Sequence, residues 1–150
     1  MLMARLNLVL VTLFLTGFIF ACGNSEQQDD SGLTEFQLNH GIGPVTERLD
    51  IGEIDMDLAN EGRQIFETLC IACHQLDATI SGPMLRNVAE RREPEFIMNY
   101  IQNPAEMRQR HPEGQRLDED YTIQMVNMGT SLEDARALLE YLRAANEGEF

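Results

Sequence analysis

Apolar positions recur along this chain in two ways. From Leu6 to Ala21 they are nearly continuous, while beyond Leu33 they return among polar residues. In the second half of the chain the spacing is that of amphipathic helices, whose buried stripe repeats with each turn. Leu58, Ile65, Phe66 and Leu69 form one such stripe, and it runs into Cys70. Asp57 is the predicted N-cap of that helix, with Glu61 as a further acid near its start. Gly62 lies inside the stripe at a cost of about 1 kcal/mol relative to alanine, which predicts that another helix passes close by. Ser81-Gly82-Pro83 breaks the chain, and Leu85–Arg92 has room for a short helix. Pro94 opens the next, flanked by Glu93 and Glu95; Phe96, Ile97, Tyr100 and Ile101 give its buried face and Pro104 stops it. Residues 105–120 read as polar and irregular. The last helix begins after Ser131, with Asp134 as a capping-box acid and Ala135, Leu138, Leu139 and Leu142 as its stripe; it frays at Gly148. No strand period or repeat appears, so the fold class is all-α, with few and short helices.

The continuous run changes the picture at the N-terminus. Arg5 precedes Leu6–Ala21, which is short of the roughly 20 residues that a membrane span needs. Residues 1–21 therefore read as a signal segment. Its end, Ile19-Phe20-Ala21-Cys22, resembles a bacterial lipobox, whose cysteine is lipidated and becomes the mature N-terminus. Phe20 is bulkier than usual there. Cys22 is thus the expected lipidation site, and the protein is expected outside the cytoplasm, periplasmic or otherwise, anchored to a bacterial membrane. Residues 22–56 follow as an acidic tether and arm. Gly23–Gly32 is polar with nothing to bury; Leu33–Met56 regains apolar residues and is expected to lie over the folded domain, residues 57–150, as an extended arm.

Charge narrows the partners. The 150 residues carry 25 Asp and Glu against 11 basic residues, all arginine, for a net charge of −14. Such a balance disfavours nucleic acid and suits a basic protein partner. Nothing in it indicates an oligomer, and a monomer is expected.

The three cysteines complete the inventory. Cys22 stands apart, and the others sit in Cys70-Ile71-Ala72-Cys73-His74. Two thiols three apart followed by histidine is the attachment signature of c-type haem. On a helix the three residues share one face, so each thiol can add to a haem vinyl group while the imidazole reaches the iron. A thioredoxin-like pair would want a preceding strand, and a zinc site a second ligand pair; neither is present. A thin helical core of this size also gains from a buried porphyrin, so one covalent haem c belongs to the fold as well as to the function.

Taken in order, Gly62 and Phe66 before the motif, Gly82-Pro83-Met84-Leu85 after it, Tyr100-Ile101-Gln102-Asn103-Pro104 and Leu138-Leu139-Glu140-Tyr141-Leu142 resemble class I cytochromes c. The stretch Glu90–Ile97 and the leader are similar to those of monohaem lipoprotein cytochromes of bacterial respiratory chains. The resemblance covers about residues 40–146. It implies that Gly62 and Phe66 cross the last helix near Leu138 and Tyr141. It also implies that the Pro83 carbonyl accepts the Nδ1 proton of His74, fixing the ring.

The other side of the iron decides the function. A thioether ligand fills the site and raises the potential, whereas an open site admits gases or peroxide. Met56, Met84, Met98 and Met107 lie before or within helices or close to the motif. The resemblance implies a ligand methionine about six or seven residues before the N-cap of the last helix. Met125 lies six residues ahead of Ser131 and Met128 three, so Met125 is the expected ligand and Met128 the reserve. Family members often place proline next, where this chain has Val126. His111 is an outside candidate for a second histidine ligand, and His40 reads as a packed or surface residue. Donors for the haem propionates are sought among Arg91, Arg92, Tyr100 and Gln102, with Arg91 preferred. The reading is a one-electron carrier, not an enzyme, passing electrons from an upstream quinol-oxidising complex to a terminal oxidase or a nitrous-oxide-type reductase. The alternative is a haem-based gas sensor or peroxidase with an open distal site.

Overall fold

A computed structural model describes residues 31–150; the signal segment, Cys22 and the first part of the tether lie outside the described residues. Seven α-helices and no strands occur among them. They are α1 (Glu35–His40), α2 (Met56–Ile65), α3 (Val88–Arg91), α4 (Pro94–Gln102), α5 (Pro104–Arg110), α6 (Pro112–Asp120) and α7 (Leu132–Asn146). None is long and apolar enough to cross a membrane.

The crossing of α2 and α7 is the centre of the body. A Cβ on Gly62 would lie 2.0 Å from the Ala137 carbonyl oxygen, so only glycine lets the two backbones approach this far. Phe66 stacks at a tilt on Tyr141 with centroids 5.2 Å apart, and both belong to a core that includes Ile97, Met98, Leu138, Leu139 and Leu142. The close neighbour that a mid-helix glycine predicts is therefore α7. Its N-terminus is the reciprocal box read from the sequence: Asp134 N–H donates to Ser131 Oγ (3.0 Å) and Ser131 N–H to Asp134 Oδ2 (2.8 Å). The N-cap of α2 is Asp55 rather than Asp57; its carboxylate accepts from Leu58 N–H at 3.0 Å.

Two stretches differ from expectation. Residues 105–120 are not irregular: α5 and α6 fill them, packed on each other. Both lack a broad apolar stripe, and other forces supply the helix. Pro104 and Pro112 stand in their first turns with φ already suited to a helix. Arg110–Glu106 (3.2 Å), Arg116–Glu113 (2.8 Å) and Arg116–Asp120 bridge successive turns. Buried Gly114 then lies against the Met107 carbonyl, where a Cβ would clash.

The arm is the second difference, since it opens with a helix. Thr34 and Gln37 form a capping box around the start of α1 (3.1 and 3.2 Å). From there the arm is clasped by two polar residues of α4. Asn99 accepts from Val45 N–H and donates to the His40 and Val45 carbonyls, each at 2.9 Å. Glu95 takes His40 Nδ1 at 2.9 Å on one oxygen and Leu49 N–H on the other. Burial would push the Glu95 carboxyl up, but those N–H donors, its own amide and His40 outweigh it and hold it below the usual range. Leu33, Ile42, Phe96 and Met107 close a second core cluster beneath the arm. Packing thus extends well ahead of Asp57.

Candidate haem site

The α2 helix does not run unchanged into the motif. Phe66–Cys70 forms a wider π turn, closed by Ile71 N–H on the Phe66 carbonyl at 3.0 Å. Such turns occur often at functional sites because they insert one extra residue into the helix. Cys73 N–H and His74 N–H then both point to the Cys70 carbonyl (3.0 and 2.9 Å), so one tight turn gathers the two thiols and the imidazole. Cys70 and Cys73 form no disulfide, so both sulfurs are available for attachment. Burial pushes the Cys70 thiol up, and Cys73 adds to this.

The following segment folds back on the imidazole. Gly82 N–H donates to the Cys73 carbonyl at 2.8 Å, bringing the Gly82 backbone so near that a Cβ would sit 2.5 Å from His74 Cε1. Next to it the Pro83 carbonyl lies 3.0 Å from His74 Nδ1. A donated Nδ1 proton leaves Nε2 as the nitrogen with a free lone pair, turned to bind a metal.

His74 opens onto a cavity of ≈ 390 Å³. Phe66, Leu69, Leu85, Val88, Leu138 and Leu142 give it an apolar wall, and Cys70, Cys73, His74 and Pro83 lie along it. The segment between α6 and α7 covers another side with Ile123, Met125, Val126 and Met128. Met56, Met84, Met98 and Met107 do not reach it; Met98 and Met107 are buried in the core, and Met107 Sδ accepts from Ile42 N–H at 3.1 Å. Of the six methionines beyond residue 50, then, two face the cavity.

Its polar corner is made by Arg92, Tyr100, Arg108, Asp118, Tyr121 and Gln124. Arg91, the residue favoured from sequence for the propionates, is absent from it. Its Nε turns back to the Asn87 carbonyl at 3.2 Å, one turn earlier at the start of short α3. Arg92 reaches the cavity but is paired with Glu113 and lies over the Phe96 ring at 5.2 Å. Arg108, in the stretch read as irregular, is the more available cation. One of its Nη atoms is 3.3 Å from Asp118, while its buried Nε has no hydrogen-bond partner. A buried donor without an acceptor is costly, and a carboxylate at this corner would satisfy it. An apolar slot, one guanidinium with an unpaired Nε and a thiol–thiol–imidazole turn therefore fit a haem with its propionates. Burial also pushes the Tyr100 hydroxyl up, with Arg108 pulling the other way.

Neither remaining histidine is near. His40 is held by Glu95, and His111 uses both ring nitrogens away from the cavity: Nδ1 accepts from Glu113 N–H (3.1 Å) and Nε2 faces the Leu38 carbonyl (3.2 Å). The Gln102 amide, another propionate candidate, is spent on Thr130 and Ser131.

Comparison with known proteins agrees with this geometry. The family model for cytochrome c matches residues 59–146. A solved structure of a cytochrome c from Rhodothermus marinus superposes with a TM-score of 0.71 at 46% identity, covering 75% of this chain and 97% of that one. Cytochrome c-551 of Bacillus subtilis is 23% identical over 67% of this chain and 75% of its own length. Cytochrome c oxidase subunit 2 of Alkalihalophilus pseudofirmus is 33% identical over 63% of this chain, and the match spans 28% of that longer protein.

Proposed function

The chain belongs to the cytochrome c family, and from that premise we propose that it is an extracytoplasmic one-electron carrier whose iron is held between His74 and Met125. As a family member it carries one covalent haem c and works in electron transfer. When bound, that group supplies an iron that gains and loses a single electron. The chain's own residues do the rest. Cys70 and Cys73 would hold it by thioether bonds, each S–H adding across one vinyl group, so attachment needs no outside oxidant. Pro83 fixes the His74 ring and makes its Nε2 a better ligand. Met125 would supply a soft sulfur ligand that favours the ferrous state. Arg108, helped by Arg92, takes the propionates, in place of Arg91.

The observation that carries this reading is that Cys70, Cys73, His74, Pro83 and Met125 all border one cavity. A sensor or peroxidase would want a base or donor over the open side, and His111 is committed elsewhere. The partner is an oxidase- or reductase-type protein with a basic docking face, suited to a chain of net charge −14. The relative named as an oxidase subunit points the same way. Residues 1–21 and Cys22 would bring the head to a membrane surface by a lipid and an acidic leash.

The test is the absorption spectrum of the full chain produced with haem attachment. A low-spin spectrum with the weak far-red band of an iron–thioether bond is expected, lost in Met125→Ala and kept in Met128→Ala. A high-spin spectrum that responds to carbon monoxide without mutation would overturn it.

A further inference from the structure

We infer that Gln102 is a positioning residue for the axial thioether, holding closed the segment that carries Met125. The inference rests on the His74/Met125 reading. The segment between α6 and α7 has little else to keep it in place. Among the described residues, no backbone-to-backbone hydrogen bond holds 122–130. Ile123, Val126 and Met128 are 58, 62 and 45% exposed, so burial secures it only weakly. Gly129 turns with a φ of +72° and open space around it. Val126 leaves the backbone after Met125 free of proline's constraint.

What fastens this segment is the end of α4. Gln102 is the last residue of that helix, where the carbonyls have no intrahelical partner. Its own carbonyl accepts from Asn127 Nδ2 at 2.6 Å. Its side-chain amide meets Thr130 Oγ1 and the Ser131 carbonyl at 2.9 Å each, and the Thr130 carbonyl at 3.1 Å. Two amide protons shared among three acceptors make one of these contacts bifurcated. Asn127 in turn accepts from Gly129 N–H at 2.7 Å, which fixes the bend. Apart from these, Gln124 reaches Asp118 across a long 3.4 Å contact. Both ends of the stretch Asn127–Ser131 are thus bound to a single residue of a helix that also lines the cavity through Phe96, Ile97, Tyr100 and Ile101. Met125 lies just outside the clasp, so its distance from that wall is set by whether the clasp is closed.

A clasp of this kind shows itself in how often the sulfur leaves the iron. The experiment uses the haem-loaded full chain and measures cyanide binding to the ferric form, which requires the thioether to step aside. Gln102→Glu keeps the size but removes both donors and faces carbonyls with a negative charge. It should bind cyanide about tenfold faster than the parent, the effect of one or two hydrogen bonds. Its far-red band should remain and its haem content should match the parent's. Asn127→Asp, which removes the donor to Gln102 and keeps the acceptor for Gly129, touches no helix and should give about fivefold. Gln102→Asn, with a shorter reach to the same acceptors, should recover part of the loss. Unchanged cyanide rates in both Gln102→Glu and Asn127→Asp would overturn the clasp. Met125→Ala belongs in the same series: a far-red band that survives it sinks the ligand assignment itself, whatever the Gln102 variants do.

Discussion

On the His74 side of the cavity the main chain fastens itself. Gly82 N–H meets the Cys73 carbonyl, Leu85 N–H the Gln75 carbonyl and Arg86 N–H the Leu76 carbonyl, all at 2.8–2.9 Å. Arg86 then ties the same stretch to Asp77 and to the Ala145 and Phe150 carbonyls. On the Met125 side, side chains do all the fastening and the apolar residues stand exposed. The contrast separates two tasks. On the proposed ligation, His74 would be held by backbone bonds that most side-chain substitutions leave intact, and Met125 by a segment that a few side chains can tighten or release.

The comparison breaks most severely at Gly62. Gly62→Ala drives a methyl into the Ala137 carbonyl, which neither helix backbone can avoid. We expect a loss of about 3 kcal/mol, read as a large drop in Tm of the holoprotein or as failure to accumulate it. The wall of Met125 offers no single residue with an effect that large. Next comes Arg108→Gln, which withdraws a positive charge from the polar corner. Removing a cation near the iron disfavours the reduced form, so the potential should fall by some tens of millivolts, about 1 kcal/mol where a tenfold change is ~59 mV. Arg91→Gln should leave it unmoved; protein-film voltammetry distinguishes the two.

Stiffening the weaker wall sharpens the contrast. Val126 is exposed and its amide makes no backbone hydrogen bond among the described residues. Val126→Pro should slow cyanide entry about two- to fivefold, in keeping with the ~0.4–1 kcal/mol that proline brings at a compatible site. The smallest effect concerns pH. His111 caps α6 through a neutral Nδ1. Burial pulls its pKa below the ordinary 6.5 and Arg92 adds to that, while the Leu38 and Gln37 backbone and Glu113 partly offset it. The unfolded chain therefore binds that proton more readily. Its share of stability is complete above about pH 6.5 and declines as pH falls toward the lowered folded value. His111→Asn keeps a capping acceptor but not the titration, so its Tm should fall by less than the parent's between about pH 7.5 and 5.5.

Much of this was readable from residues alone, for reasons that differ by element. The motif Cys70–His74, the proline start of α4 and the Ser131–Asp134 box are local chemistry, and Gly62 declared its neighbour by being costly where it stands. The helices α5 and α6 escaped notice because they are held by ion pairs and proline starts, which leave no broad apolar stripe. Pro104 both ends α4 and starts α5, and Pro112 after His111 starts α6, so a proline that reads as a stop is equally a helix start. Arg91 and Arg108 could not be ranked by spacing, since which guanidinium reaches the cavity depends on which side chain is already drawn back onto its own helix. Gln102 was weighed only as a donor to the cofactor, because the acceptors it meets are 28 and 29 residues away.

The wide turn at Phe66–Cys70 has a consequence for how this chain tolerates change in length. Each residue of an α-helix advances the direction of its side chain by about 100°. The surplus residue in that turn therefore acts as a phase offset between two readings of one rod: the contact face at Gly62 and the attachment face at Cys70. Deleting one of Arg63–Ile65 would draw Phe66 off the face that meets Tyr141, whereas losing one residue from Glu67–Leu69 would let the turn close as regular helix. Changes in count are therefore absorbed inside the wide turn and not ahead of it.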